Sequence, residues 1–131
     1  MRYTAVDDVG HMVNPMLVEG QLHGGVAMGV GQALMENMVY DGSGQVVSGS
    51  FMDYCMPRAK DFCDFTLGEN EVPTRLNPLG VKGAGESGTV GALASLMNAV
   101  NQALAQIGAE YVQMPATPEK VWKAIDKARR P

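Results

Sequence analysis

The chain has 131 residues, enough for one domain with a real core, and its 46% hydrophobic and 18% charged content is that of an ordinary globular protein. A formal charge of −4 gives no electrostatic ground for nucleic acid or an anionic membrane as partner, and no apolar run is long enough to span a bilayer. Two cysteines make neither a disulfide framework nor a zinc-finger spacing, and no basic-then-apolar leader opens the sequence, so a reduced cytoplasm is the expectation.

Residues 3–9 read as a strand that stops at Asp7, Asp8 and Gly10. Asn14-Pro15 predicts a helix start, with Pro15 at the first helical position and Asn14 as its cap. From Met16 to about Tyr40 the pattern is helical, yet it carries Gly20, Gly24, Gly25, Gly29 and Gly31. Each costs about 1 kcal/mol relative to alanine inside a helix, so a compensating cause is required. Gly20, Gly24, Ala27 and Gly31 form one stripe, and Gln21, Gly25, Met28 and Gln32 form a second beside it. A face stripped of side chains admits something flat or bulky against the backbone, either another helix or a cofactor. Pairing within a bilayer does not fit, because Glu19, Gln21, His23, Gln32 and Glu36 are too polar.

Asp41-Gly42-Ser43-Gly44 predicts a turn between β-prone runs, with strands over residues 45–54 and 62–69. Pro57 separates them, and residues 70–79 are a loop holding Pro73 and Pro78. Residues 80–91 then pack Gly80, Gly83, Gly85, Gly88 and Gly91 around Lys82 and Glu86. Val90, Leu93, Ala94, Met97, Val100, Leu104 and Ile107 follow at helical spacing, capped by Ser87 or Thr89 and ended by Gly108. After an extended piece at residues 111–114, Thr117-Pro118-Glu119 starts a last helix with Val121, Trp122 and Ile125 on its apolar face. Neither an internal repeat nor a linker is visible. The expected fold is α+β over residues 1–131: a small antiparallel sheet, a Gly-rich long helix, a second amphipathic helix and a short C-terminal helix.

Gly83-Ala84-Gly85-Glu86-Ser87-Gly88 matches G-x-G-x-x-G, but a dinucleotide fingerprint needs a buried strand directly before it. Here a proline-broken loop precedes, and Glu86 would set negative charge beside a pyrophosphate. Near a helix start a carboxylate also serves plain stability, though that role needs no flanking glycines. The positive helix end favours the ionised form that a general base requires. Lys82 reads as an anion partner or a solvated lysine, His11 and His23 as structural histidines, and Cys55 and Cys63 as buried thiols.

Taken together, these stretches resemble the C-terminal part of the molybdopterin-binding domain in the large subunit of the molybdenum hydroxylases, the family of xanthine oxidases, aldehyde oxidases and aerobic-type carbon monoxide dehydrogenases. The resemblance runs through Val6-Asp7-Asp8-Val9-Gly10, Asn14-Pro15, Val18-Glu19-Gly20-Gln21-Leu22-His23-Gly24-Gly25 and Gly29-Val30-Gly31-Gln32-Ala33-Leu34. It continues through Asp53-Tyr54-Cys55-Met56-Pro57-Arg58-Ala59, Asn77-Pro78-Leu79-Gly80-Val81-Lys82-Gly83-Ala84-Gly85-Glu86 and Pro115-Ala116-Thr117-Pro118-Glu119-Lys120-Val121-Trp122. It implies that Glu86 is the general base at a molybdenum centre, in an enzyme oxidising an aldehyde, a heterocycle or carbon monoxide. Gln21, Gly24, Gly25, Lys82, Gly83, Ala84 and Gly85 would face molybdopterin, in its cytosine dinucleotide form, and no side chain would ligate the metal. The family's large subunit is several times longer, so the chain is expected to be a fragment, inactive alone. Its implied partners are the remainder of that subunit and iron–sulfur and FAD subunits, with a homodimer through exposed apolar surface as a further hypothesis. A non-catalytic fragment or interaction module on the same scaffold, or a dinucleotide-binding domain, stands as the alternative.

Overall fold

A computed structural model describes residues 2–130. The described elements are strand β1 (Tyr3–Asp7), helix α1 (Pro15–Leu34), a 3-10 turn (Ala59–Asp61), strand β2 (Phe65–Glu69), helix α2 (Ser87–Ala105) and helix α3 (Pro118–Arg129). The chain divides into two compact units, each assembled from two separate segments.

The first unit comprises the N-terminal stretch to Gly29 together with Arg58–Ala92. Its sheet is β1 paired with β2, in register from Tyr3↔Phe65 to Asp7↔Glu69. This pairing is parallel, which corrects the expected antiparallel sheet. The expected turn at Asp41 to Gly44 does form, with Gly44 at φ +85° and Asp41 Oδ1 accepting from the Ser43 and Gln45 N–H groups. Its ladder, however, stops at the single antiparallel bridge Tyr40↔Val46. The next donor, Val39 N–H, is taken by the Ser48 hydroxyl at 2.9 Å, so a side chain replaces the backbone partner that a longer hairpin needs. Residues 45–54 are therefore turns and bends, and β1 pairs with the strand beyond them.

Rings at Tyr3 and Phe62 meet Phe65 edge-on, with centroids 5.6 and 5.9 Å away. His23 lies 5.7 Å from the same ring, and its Nδ1 is 3.0 Å from the Glu19 carbonyl one turn back, a structural place for this histidine. The start of α1 is as the sequence predicts: Pro15 opens it and Asn14 Oδ1 accepts the Leu17 N–H. It ends at Leu34, short of Tyr40.

The second unit comprises Val30–Pro57 and the stretch from Leu93 onward. Its core is Ala33, Met97, Leu104, Val112 and Ala116, with Leu93, Leu96, Val100, Val121, Ala124 and Ile125 packed against it. Asn101 fastens the strand-like piece after α2 to this core. Its Nδ2 donates to the Met97 and Val112 carbonyls, and its Oδ1 accepts from Val112 N–H at 2.8 Å. Thr117 caps α3 as expected. Three apolar expectations fail here and in α2: Trp122, Ile107 and Val90 are exposed, since helical spacing places them at the margin of the buried stripe. Cys55 is likewise exposed, contrary to the expected buried thiol, and Cys63 is partly buried. No helix among the described residues is long and apolar enough to cross a membrane.

Candidate functional site

All the residues singled out from the sequence fall in the first unit, on α1 and on the loop that runs into α2. That loop is fastened at its upstream end. Gly10 and Gly80 both take left-handed backbone, at φ +67° and +69°, and a Cβ on Gly10 would collide with the Gly80 carbonyl oxygen. The two strands of chain exchange hydrogen bonds around this contact: His11 N–H donates to Gly80 O at 3.0 Å, and Lys82 N–H to Val9 O at 2.8 Å. Asn77 adds a side-chain clasp, accepting from Val81 N–H and donating to Val81 O.

Asp8 joins three segments at the same end. Its Oδ1 accepts from the N–H groups of Gly10 (2.9 Å) and Val72 (3.1 Å), and its Oδ2 pairs with Lys82 Nζ at 2.5 Å. The Lys82 ammonium, then the two backbone donors, lower the Asp8 pKa to about 2. Neither Asp8 nor Gly10 was singled out as a site residue from the sequence. Asp-x-Gly is a pattern that closes an Asx turn, and it was the signal available. Lys82 therefore has a partner within the chain, the Asp8 carboxylate.

The downstream end is helix packing. Gly88 sits on the α1 backbone: a Cβ there would come within 2.7 Å of Leu22 O and 2.9 Å of Val26 N. A Cβ on Gly25 would stand 3.0–3.3 Å from Gly88 and the Thr89 nitrogen, and one on Gly29 would meet Ala92 and Thr89. Thr89 is inside α2 and does not cap it; its hydroxyl donates to Gly25 O at 3.0 Å. The first helical residue is Ser87, whose hydroxyl donates to Ala84 O at 3.0 Å, and Glu86 O accepts Val90 N–H. Thus Gly25, Gly29 and Gly88 are glycines because two helix backbones approach there. Gly25 is buried under the start of α2, so helix packing accounts for it.

Between these ends lie residues 83–86. Nothing comes within 4 Å of a Cβ placed on Gly83 or Gly85, nor on Gly20 or Gly24 of α1. Among the described residues, none of the backbone N–H groups of residues 83–86 donates to another group. The Glu86 side chain is exposed and has neither ion pair nor hydrogen bond there, and Gln21 is exposed as well. No cluster of His, Cys, Asp or Glu among the described residues could hold a metal ion.

Residues 1–63 match the family model described as the molybdopterin cofactor-binding domain. The nicotine 6-hydroxylase large subunit of Paenarthrobacter nicotinovorans is 43% identical over 92% of this chain, and the carbon monoxide dehydrogenase large chain of Hydrogenophaga pseudoflava 36% over 95%. The crystal structure of quinoline 2-oxidoreductase from Pseudomonas putida 86 superposes with a TM-score of 0.90 at 43% identity, over 98% of this chain and 16% of that one. The chain belongs to the molybdenum hydroxylase family. It matches part of the large subunit, spanning 15% of the length of each of the two curated relatives named. As a molybdenum hydroxylase segment it contains the molybdopterin cofactor-binding match over Gln21, Gly24 and Gly25. The Lys82 to Glu86 loop lies beyond that match.

Proposed function

We propose that this chain forms one wall of a molybdenum hydroxylase active site, with Glu86 as its general base. The observation that carries the reading is the state of the loop: an exposed, unpartnered carboxylate at the start of a helix, beside the unused backbone donors of residues 83–86.

Those residues fit molybdopterin. Two glycines with open space where a side chain would stand let a ligand touch main chain, and successive free N–H groups suit its phosphate oxygens. Gly83, Ala84 and Gly85 would supply these donors. Gln21 and Gly24 would contribute from the open face of α1, the former as an amide that both donates and accepts. Lys82 acts one step back, through its pair with Asp8, and Gly25 through packing. The cofactor, in its cytosine dinucleotide form, supplies the redox chemistry when bound. Glu86 would receive the proton released as oxygen is transferred to the substrate.

A nitrogen heterocycle is the substrate class we favour. Nicotine and quinoline, for which two of the similar proteins are named, are both nitrogen heteroaromatics, and those two proteins are each 43% identical to this chain. Partners would be the remainder of the large subunit and the iron–sulfur and FAD subunits. The decisive experiment is Glu86→Gln in the assembled enzyme. Turnover should fall by roughly 10²- to 10⁴-fold, the usual worth of a positioned base, with molybdenum content retained. Unchanged turnover in an assembled variant would support the non-catalytic reading instead.

A further inference from the structure

We propose that Asp8 is a positioning residue for Glu86, holding through Lys82 the loop on which that carboxylate is carried. The inference rests on the reading of Glu86 as the base.

Residues 83–86 are suspended between two fixed points. Downstream, Gly88 is seated on the backbone of α1 at Leu22 and Val26. Upstream, Lys82 is held twice, by its N–H on Val9 O and by its ammonium on Asp8. Between them, among the described residues, Ser87 to Ala84 is the side-chain tie. Gly83 and Gly85 give that span wide backbone freedom and no packing of their own, so its end points decide where Glu86 stands.

Asp8 is the polar hub of the upstream point. Each of its three partners lies in a different segment: Gly10 after β1, Val72 in the loop after β2, and Lys82 itself. The bond to Lys82 is charge-assisted at both ends, the strongest ordinary kind. Asp8 and Lys82 keep about a third of their side-chain surface exposed, at 33% and 35%, so neither fills the core. Their pairing arranges loops.

Asp8→Asn is the informative change, because the amide oxygen still accepts from Gly10 and Val72 while the charge facing Lys82 is gone. In the assembled enzyme kcat should fall roughly ten- to a hundred-fold, with KM altered less and molybdenum content kept, as expected for a base moved by a fraction of an ångström to an ångström. Hydrogen–deuterium exchange should accelerate at the bonded amides of the anchor, those of His11, Val72 and Lys82, and not in the second unit. Lys82→Met should reproduce both effects, and the double variant should be no worse than the more damaging single one. It also carries the test if Asp8→Asn fails to assemble. Unchanged kcat in Asp8→Asn, in an enzyme that Glu86→Gln inactivates, overturns the positioning role. If Glu86→Gln stays active, the base reading fails by itself, and unchanged exchange at the His11, Val72 and Lys82 amides would then reject Asp8 as the loop's anchor.

Discussion

Two glycine-rich regions of the first unit differ in what fills the space their missing side chains leave. At the crossing of α1 and α2 that space is taken by the other helix: a Cβ added to Gly25, Gly29 or Gly88 would meet its atoms at about 3 Å or less. A Cβ added at Gly20, Gly24, Gly83 or Gly85 would meet no packing neighbour within 4 Å among the described residues. One region spends its glycines on the fold and the other leaves bare main chain facing outward. Glycine costs stability inside a helix, so the open Gly20 and Gly24 of α1 need a reason outside this chain's own packing.

The contrast is broken most directly at Gly88. Gly88→Ala puts a methyl group against the α1 backbone, which cannot rotate away as a side chain would. It should destabilise by about 1–3 kcal/mol, the usual range for overpacking, read as a lower urea midpoint. An unchanged midpoint would mean the helices do not meet there. Acid sharpens the comparison next, since Asp8 anchors the loop carrying the open glycines. Its folded pKa, about 2, lies below the ordinary 3.8. A depressed carboxylate pKa contributes stability that is present above 3.8 and lost as pH falls towards 2. Stability of the chain should therefore decline across that interval, and Asp8→Asn should flatten the decline in a pH series of unfolding midpoints. The smallest effect is expected at Gly24. Gly24→Ala meets no atom and removes a helical glycine, so stability should rise by up to about 1 kcal/mol. Retention of molybdopterin by the assembled subunit should fall. A variant that is stabilised and fully loaded would leave the open face without a ligand-related cause.

Much of this was legible beforehand. Pro15, Asn14, Thr117 and Pro118 mark helix starts by backbone chemistry that acts within a few residues, and the structure places both starts there. The apolar repeat of α2 likewise announced its helix, though Val90 and Ile107 at its margins are exposed. The glycine stripes were visible but not their division. Helical spacing groups Gly20 with Gly24 and Gly31, whereas only the position of α2 decides that Gly25 and Gly29 are covered. Strand pairing failed for a similar reason. A turn at Asp41 to Gly44 predicts a hairpin locally, while Ser48 takes the donor the hairpin needs and β1 pairs in parallel with a strand 62 positions further on.

By itself, then, the sequence determined the family, the helices, the starting caps of α1 and α3, and the presence of an unusual loop around Glu86. Those features are written in short-range spacing and in motif order. The tertiary structure alone decided that Lys82 is bound to Asp8, 74 residues away, that Gly88 rests on Leu22 and Val26, and that residues 83–86 keep their donors free among the described residues. Each of these depends on segments distant in sequence being brought together, and no local pattern records such a meeting.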